Sequence, residues 1–117
     1  MSSDALKIQD AEGRTALHLA VMNAYSDITK RLLEGCAPCA GIEIKDKEGK
    51  TALHFAAYHG LRTIAETLIK SGANVKSKDS DRHTPKELAK WKHHYNTVKT
   101  IESWEHRREK RRTRHFN

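Results

Sequence analysis

At 117 residues the chain is one domain's worth of protein. With 37% hydrophobic and 32% charged residues, it is thin for a conventional single core, yet not poor enough in apolar residues to imply disorder. The formal charge of +7 is uneven: residues 105–117 carry six Lys and Arg against two Glu, +4, and the other 104 residues share +3. The basic character is thus a C-terminal appendage on a mildly basic body. Two cysteines are too few for a disulfide-built secreted miniprotein, and Met1 to Lys7 holds no apolar signal core. No stretch approaches the ~20 apolar residues of a membrane span. A reducing cytoplasmic or nuclear setting is expected.

Residues 1–9 precede the first recognisable unit. Ser3 to Lys7 aligns with Gly72 to Lys76, so this segment reads as the end of a preceding repeat or an N-terminal arm. The first unit, 10–45, opens Asp10-x-x-Gly13-x-Thr15-Ala16-Leu17-His18-x-Ala20. Thr15 stands before an alanine-bearing helix, where its hydroxyl can accept from an orphan backbone N–H. Ile28, Leu32 and Leu33 share one face of a second, amphipathic helix, and Gly35 sits where a left-handed residue ends it. An insertion at 36–41 follows, Cys36-Ala37-Pro38-Cys39-Ala40-Gly41, with loop composition.

The second unit, 46–78, repeats the frame as Asp46-x-x-Gly49-x-Thr51-Ala52-Leu53-His54-x-Ala56, with Ile64, Leu68 and Ile69 on its second helix and Gly72 after it. The third, 79–104, is degenerate. Asp79 and Thr84-Pro85 keep the frame, with proline at the first helical position. Lys86 and Glu87 replace the Leu and His, and Arg82 replaces the turn glycine. Polar residues suit a terminal unit with no neighbour on one side. Residues 105–117 form the basic tail.

Thr51 and Thr84 lie 33 residues apart, Thr15 and Thr51 36 apart. A period of 33 around a T-P-L-H-x-A core resembles the ankyrin repeat. The middle unit agrees almost throughout, including Ala56-Ala57, Gly60, Leu68-Ile69 and Gly72 to Val75, and the resemblance extends over about residues 3–103. It implies an all-α solenoid of helix-turn-helix units with short projecting β-hairpin arms, and a non-catalytic role in protein–protein recognition. In that family His18 and His54 brace the turn near the threonine. Binding generally uses the arm tips and the exposed ends of the first helices. By resemblance these are Ala11, Glu12, Arg14, Met22 and Asn23; then Lys47, Glu48, Lys50, Tyr58 and His59; then Ser80, Asp81, His83, Trp91 and Lys92. Met22, Tyr58 and Trp91 hold one slot in successive units, seven residues after each threonine, and are expected to form a row.

Other chemistry is weakly represented. No nucleophile sits with His18 or His54 in a recognised local signature, and no glycine-rich phosphate loop occurs. Cys36-x-x-Cys39 has a metal or redox spacing, but a structural zinc needs four ligands and a redox motif needs a βαβ setting. No catalytic site, metal or cofactor is expected. Arg107, Arg108, Lys110, Arg111, Arg112 and Arg114 resemble a nuclear-import signal or a polyanion site, with a solvated helical extension as the plain alternative. The expected partner is another protein, with nucleic acid or another polyanion possible through the tail and no membrane. The chain is expected to be a monomer or a fragment of a larger array. Two full units and one degenerate one predict low stability, at or below the bottom of the ~5–15 kcal/mol range.

Overall fold

The computed structural model describes residues 5–34 and 41–114, with side chains in the last helix described as far as Arg107. The cysteines and Gly35 lie outside the described residues. Among the described residues, a 3-10 turn at Ala5–Lys7 leads into six helices: α1 (Ala16–Met22), α2 (Ser26–Leu33), α3 (Ala52–Tyr58), α4 (Arg62–Lys70), α5 (Pro85–Trp91) and α6 (Tyr95–Arg114). They pair as α1–α2, α3–α4 and α5–α6. α3 packs between α1 and α5, and α4 between α2 and α6. The pairs therefore stack as a two-layer, all-α row.

Each first helix starts at a threonine in extended conformation whose hydroxyl accepts the N–H of the residue three positions on: Thr15 from His18, Thr51 from His54, Thr84 from Glu87. The third side chain of each box returns the bond to the threonine N–H, so two orphan donors are satisfied at once. Alanine lets these short helices approach closely: Ala56 and Ala57 at the centre of the stack are fully buried. Leu53, Leu68, Ile69 and Ile101 complete the core.

Equivalent slots record which end of the stack is open. Leu19 is 41% exposed and its counterpart Phe55 8%; Ile28 is 48% exposed and its counterpart Ile64 3%. Both slots are apolar, so the difference comes from the helix pair that packs on unit 2 and has no counterpart on unit 1 among the described residues. The far end is closed by polar chemistry. Lys86 sits where unit 2 buries Leu53 and pairs with Glu105 at 3.3 Å and Glu102 at 4.0 Å. Half-buried Trp104 packs on the core beside them.

The expected hairpin arms are present as turns, and among the described residues none carries a strand. Each is closed by two backbone bonds, as in Asp46 N–H to Lys50 C=O (3.0 Å) and Gly49 N–H to Asp46 C=O (2.9 Å). Successive arms then share a single backbone bond, Lys47 N–H to Glu12 C=O and Ser80 N–H to Glu48 C=O, each 3.0 Å. One bond per arm does not build a ladder. The last helix also departs from the others. α2 and α4 have 8 and 9 residues, whereas α6 has 20 and runs unbroken from the third unit into the basic segment.

The connection between paired helices needs one left-handed residue. Gly60 supplies it in unit 2 at φ +67°, where a Cβ would also lie 2.5 Å from the His94 ring. Unit 1 uses Ala24 at φ 57°, and unit 3 His93 at φ 63°. A left-handed non-glycine residue is disfavoured by the clash of its Cβ with the next carbonyl. Ala24 is exposed, so its methyl group contributes little packing. Ala24→Gly is expected to raise stability by about 0.5–1 kcal/mol, read as a higher urea midpoint at constant slope. A lower midpoint would show that the methyl contributes more than its strain costs.

Candidate functional site

Three polar devices hold the arms against the helices, and they determine what surface is left for a partner. In the first, an aspartate organises each arm. Asp46 Oδ1 accepts the N–H groups of Glu48 and Lys50, both at 2.9 Å, and Asp10 and Asp79 do the same in their own arms. The backbone N–H of Arg14 foremost holds the Asp10 carboxyl below the usual carboxylate range.

In the second, a histidine ties one unit to the next. The Thr15 N–H donates to His18 Nδ1 at 3.1 Å, while His18 Nε2 lies 2.8 Å from the carbonyl of Lys50 in the next arm. His54 repeats this with Thr51 (3.1 Å) and the His83 carbonyl (2.9 Å). A neutral ring protonated on Nε2 satisfies both contacts, accepting on one side and donating on the other. Burial is the leading cause that holds both imidazoles below the ordinary histidine pKa of 6.5. Glu87 takes the histidine's place in the last unit and keeps only the local bond, its Oε1 accepting from the Thr84 N–H at 3.4 Å.

In the third, a basic residue of one arm pairs with the aspartate of the next. Arg14 Nε lies 3.8 Å from Asp46 Oδ2, and Lys50 Nζ 3.9 Å from Asp79 Oδ2. The Arg14 guanidinium also lies over the Phe55 ring, 5.7 Å from its centroid. Lys50 makes a second pair with Glu48 at 3.1 Å. Burial opposes the charge on Lys50, but Glu48, Asp79 and Asp46 together hold its pKa above the ordinary lysine value. Asp79, Asp81 and His83 bring metal-ligand types within 4.8 Å of one another. Asp79 Oδ1 already accepts two N–H groups, and Lys50 stands by Oδ2, so a cation is already in place there.

Between the second and third arms and the helices α3 and α5 runs a cleft of about 400 Å³. Its walls are Glu48, Lys50, Asp79, Asp81 and His83 from the arms, and Phe55, Tyr58, His59, Leu88 and Trp91 from the helices. A second hollow, bounded by His83, Glu87, Leu88 and Trp91, continues along the outer side of α5. Tyr58 and Trp91 meet with ring centroids 6.3 Å apart and planes inclined at 59°. Trp91 nevertheless remains 67% exposed. The Lys92 ammonium lies over both rings, 4.8 Å from the Tyr58 centroid and 5.4 Å from that of Trp91.

A threonine–histidine brace recurring on stacked helix pairs is the geometry that the motif implied. The family model for ankyrin repeats in three copies matches residues 2–79 and, in a second match, 38–103. The chain belongs to the ankyrin-repeat family. No curated protein sequence matches it. Ankyrin repeats are, in general, protein–protein interaction modules and typically non-enzymatic.

The ankyrin frame brings seven of the expected site residues to one groove: Glu48, Lys50, Tyr58, His59, Asp81, His83 and Trp91. Lys92 stands over its aromatic pair. Of the expected row, Tyr58 and Trp91 are adjacent, while Met22 is half-buried against the core and is not among the groove's lining residues. Arg14 and Lys50 are largely engaged in the stack through the ion pairs above. Exposed Asn23 donates its side-chain amide to the Leu19 carbonyl at 2.8 Å, and Lys47 is exposed at an arm tip. Phe55, Leu88, Asp79 and Glu87 were not expected at the site. No motif in the sequence marked Phe55 or Leu88, and Asp79 served there only to keep the repeat frame, because only the stacked arms turn their edges into a cleft. Arg107 lies over the Trp104 ring at 4.9 Å, and Arg108, Lys110, Arg111, Arg112 and Arg114 continue along α6.

Proposed function

We propose that this ankyrin-repeat protein binds a partner protein in the groove between its second and third arms and the helices α3 and α5. The observation that carries the reading is Trp91. A large apolar side chain held two-thirds exposed at the mouth of a cleft, against a tyrosine, gives up solvation that a polar residue would have kept. Tyrosine and tryptophan dominate interface hot spots because they present wide, stiff contact area. Arm residues with side chains free of the stack, His83 and Asp81, provide the polar rim that such a centre requires.

Affinity capture with mass spectrometry tests this. A partner retained by the native chain is expected to be lost from the Tyr58→Ala and Trp91→Ala variants, with Trp91→Ala costing about 2 kcal/mol of binding. Far-ultraviolet circular dichroism of both variants should match the native chain. Capture that is unaffected by either variant, or variants that unfold, would remove the groove from consideration.

A second reading rests on the continuous α6. Its basic run from Arg107 to Arg114 is carried on a helix, which suits a polyanion site or a nuclear-import signal in a protein of the cytoplasm or nucleus. Polyanion binding through these residues would weaken steeply with salt, in proportion to the phosphates neutralised. Binding in the groove would instead be lost in Trp91→Ala and survive neutralisation of these basic residues.

A further inference from the structure

We infer that the groove receives an extended basic segment of the partner, one of whose lysine or arginine side chains lies against Tyr58 and Trp91. This rests on the groove being the binding face and adds the chemistry of its occupant. The aromatic pair already holds one ammonium group. Lys92 Nζ lies over both rings, and among the described residues it makes no ion pair. Only the ring faces hold it, through the attraction of a cation to their negative quadrupole. A long, exposed side chain held in this way is readily displaced by a competing cation.

The walls favour the same charge. Glu48, Asp79 and Asp81 line the cleft with Lys50, Glu87 adds a further carboxylate in the adjoining hollow, and the Lys92 ammonium over the rings still leaves carboxylates in excess. This local excess of negative charge stands on a chain whose net charge is +7, so it runs against the bulk composition. Lys50 is already paired with Glu48 and Asp79, which leaves Asp81 and Glu87 exposed at the rim to meet incoming cations. The cleft is open along the arms and large enough for side chains of an extended peptide. Aromatic faces beneath a carboxylate rim are complementary to an aliphatic stem ending in a cation.

The test is a nuclear magnetic resonance titration of the full chain with a short peptide of alternating lysine and alanine, followed at the Trp91 indole N–H with that of Trp104 as internal reference. Saturable shifts confined to Trp91 and its neighbours are expected. The same peptide with glutamate in place of lysine should leave Trp91 unmoved, and Trp91→Ala should abolish saturation at the groove. Lys92→Ala gives the decisive sign. Removing the resident ammonium should tighten the lysine peptide about threefold to fivefold. Unchanged or weakened binding in Lys92→Ala, a glutamate peptide that binds at Trp91, or a lysine peptide with no saturable shift would each overturn the inference. None of these results affects a Trp91-dependent partner found by affinity capture, so the groove can remain a binding face while its preference for cations fails.

Discussion

Phe55→Ala is expected to cost the fold about 3–5 kcal/mol, enough to unfold much of a domain whose stability is expected near or below ~5 kcal/mol. Phe55 fills the slot where α3 faces α1. It lies edge-on to the His18 ring with centroids 5.8 Å apart, beneath the Arg14 guanidinium. Truncation would open a cavity that the short helices cannot close without disturbing the arm bonds on either side. Leu19→Ala is the matched control. It makes the same kind of cut one unit earlier, in a slot 41% exposed that no helix of the described residues covers on its outer side. No cavity forms there, and the expected cost is about 1 kcal/mol. Urea unfolding followed by circular dichroism would measure both. Equal costs would mean that the first unit's outer face is covered in solution, by a second molecule or otherwise, and the concentration dependence of the Leu19→Ala midpoint would identify which.

Acid should loosen the stack, and for a definite reason. His18 and His54 are buried, their Nδ1 atoms accept from threonine N–H groups, and burial lowers their pKa in the folded chain below 6.5. Protonation would place a second N–H opposite the donor that each ring now accepts from. The unfolded chain has no such constraint and takes up protons near 6.5, so below that pH it binds more protons than the folded chain. Stability is therefore full above about pH 6.5 and falls as the pH drops toward and through the lowered folded values. A melting temperature several degrees lower at pH 5 than at pH 7.5 is expected. His54→Ala should lose about 2–4 kcal/mol at neutral pH, since it leaves the Thr51 N–H and the His83 carbonyl without partners. In that variant the acid-sensitive step should shrink, because one of the two rings responsible is gone. A melting temperature flat across this range would show that the rings charge in place.

The two experiments concern the two directions of the stack. Phe55 joins units through apolar contact between helices, and the histidines join them through a bond from a helix to the next arm. The groove depends on both. Its helix wall is fixed by the packing of α3 on α5, and its arm wall by the carbonyls of Lys50 and His83, which the histidines hold. Loosening either should blunt binding at Trp91 even in variants that never touch a partner.

The sequence by itself determined the repeat frame, the threonine caps, the amphipathic second helices and the polar far end at Lys86 and Glu87. These depend on contacts within one turn of chain or on the simple fact of a missing neighbour, so residue order suffices to read them. It also placed Tyr58 and Trp91 in one slot, which regular stacking converts into contact. Only the tertiary structure decided what crosses from unit to unit. It sent the second nitrogen of each histidine to the next arm, turned Arg14 and Lys50 inward to the following aspartates, and left the arms as turns joined by one backbone bond. It also set Lys92 above two rings, excluded Met22 from the groove, and extended α6 without a break into the basic segment. The reason is physical. A side chain's first partner is set by its own backbone, while its second is set by the offset between stacked units, a distance and rotation that no short run of residues encodes.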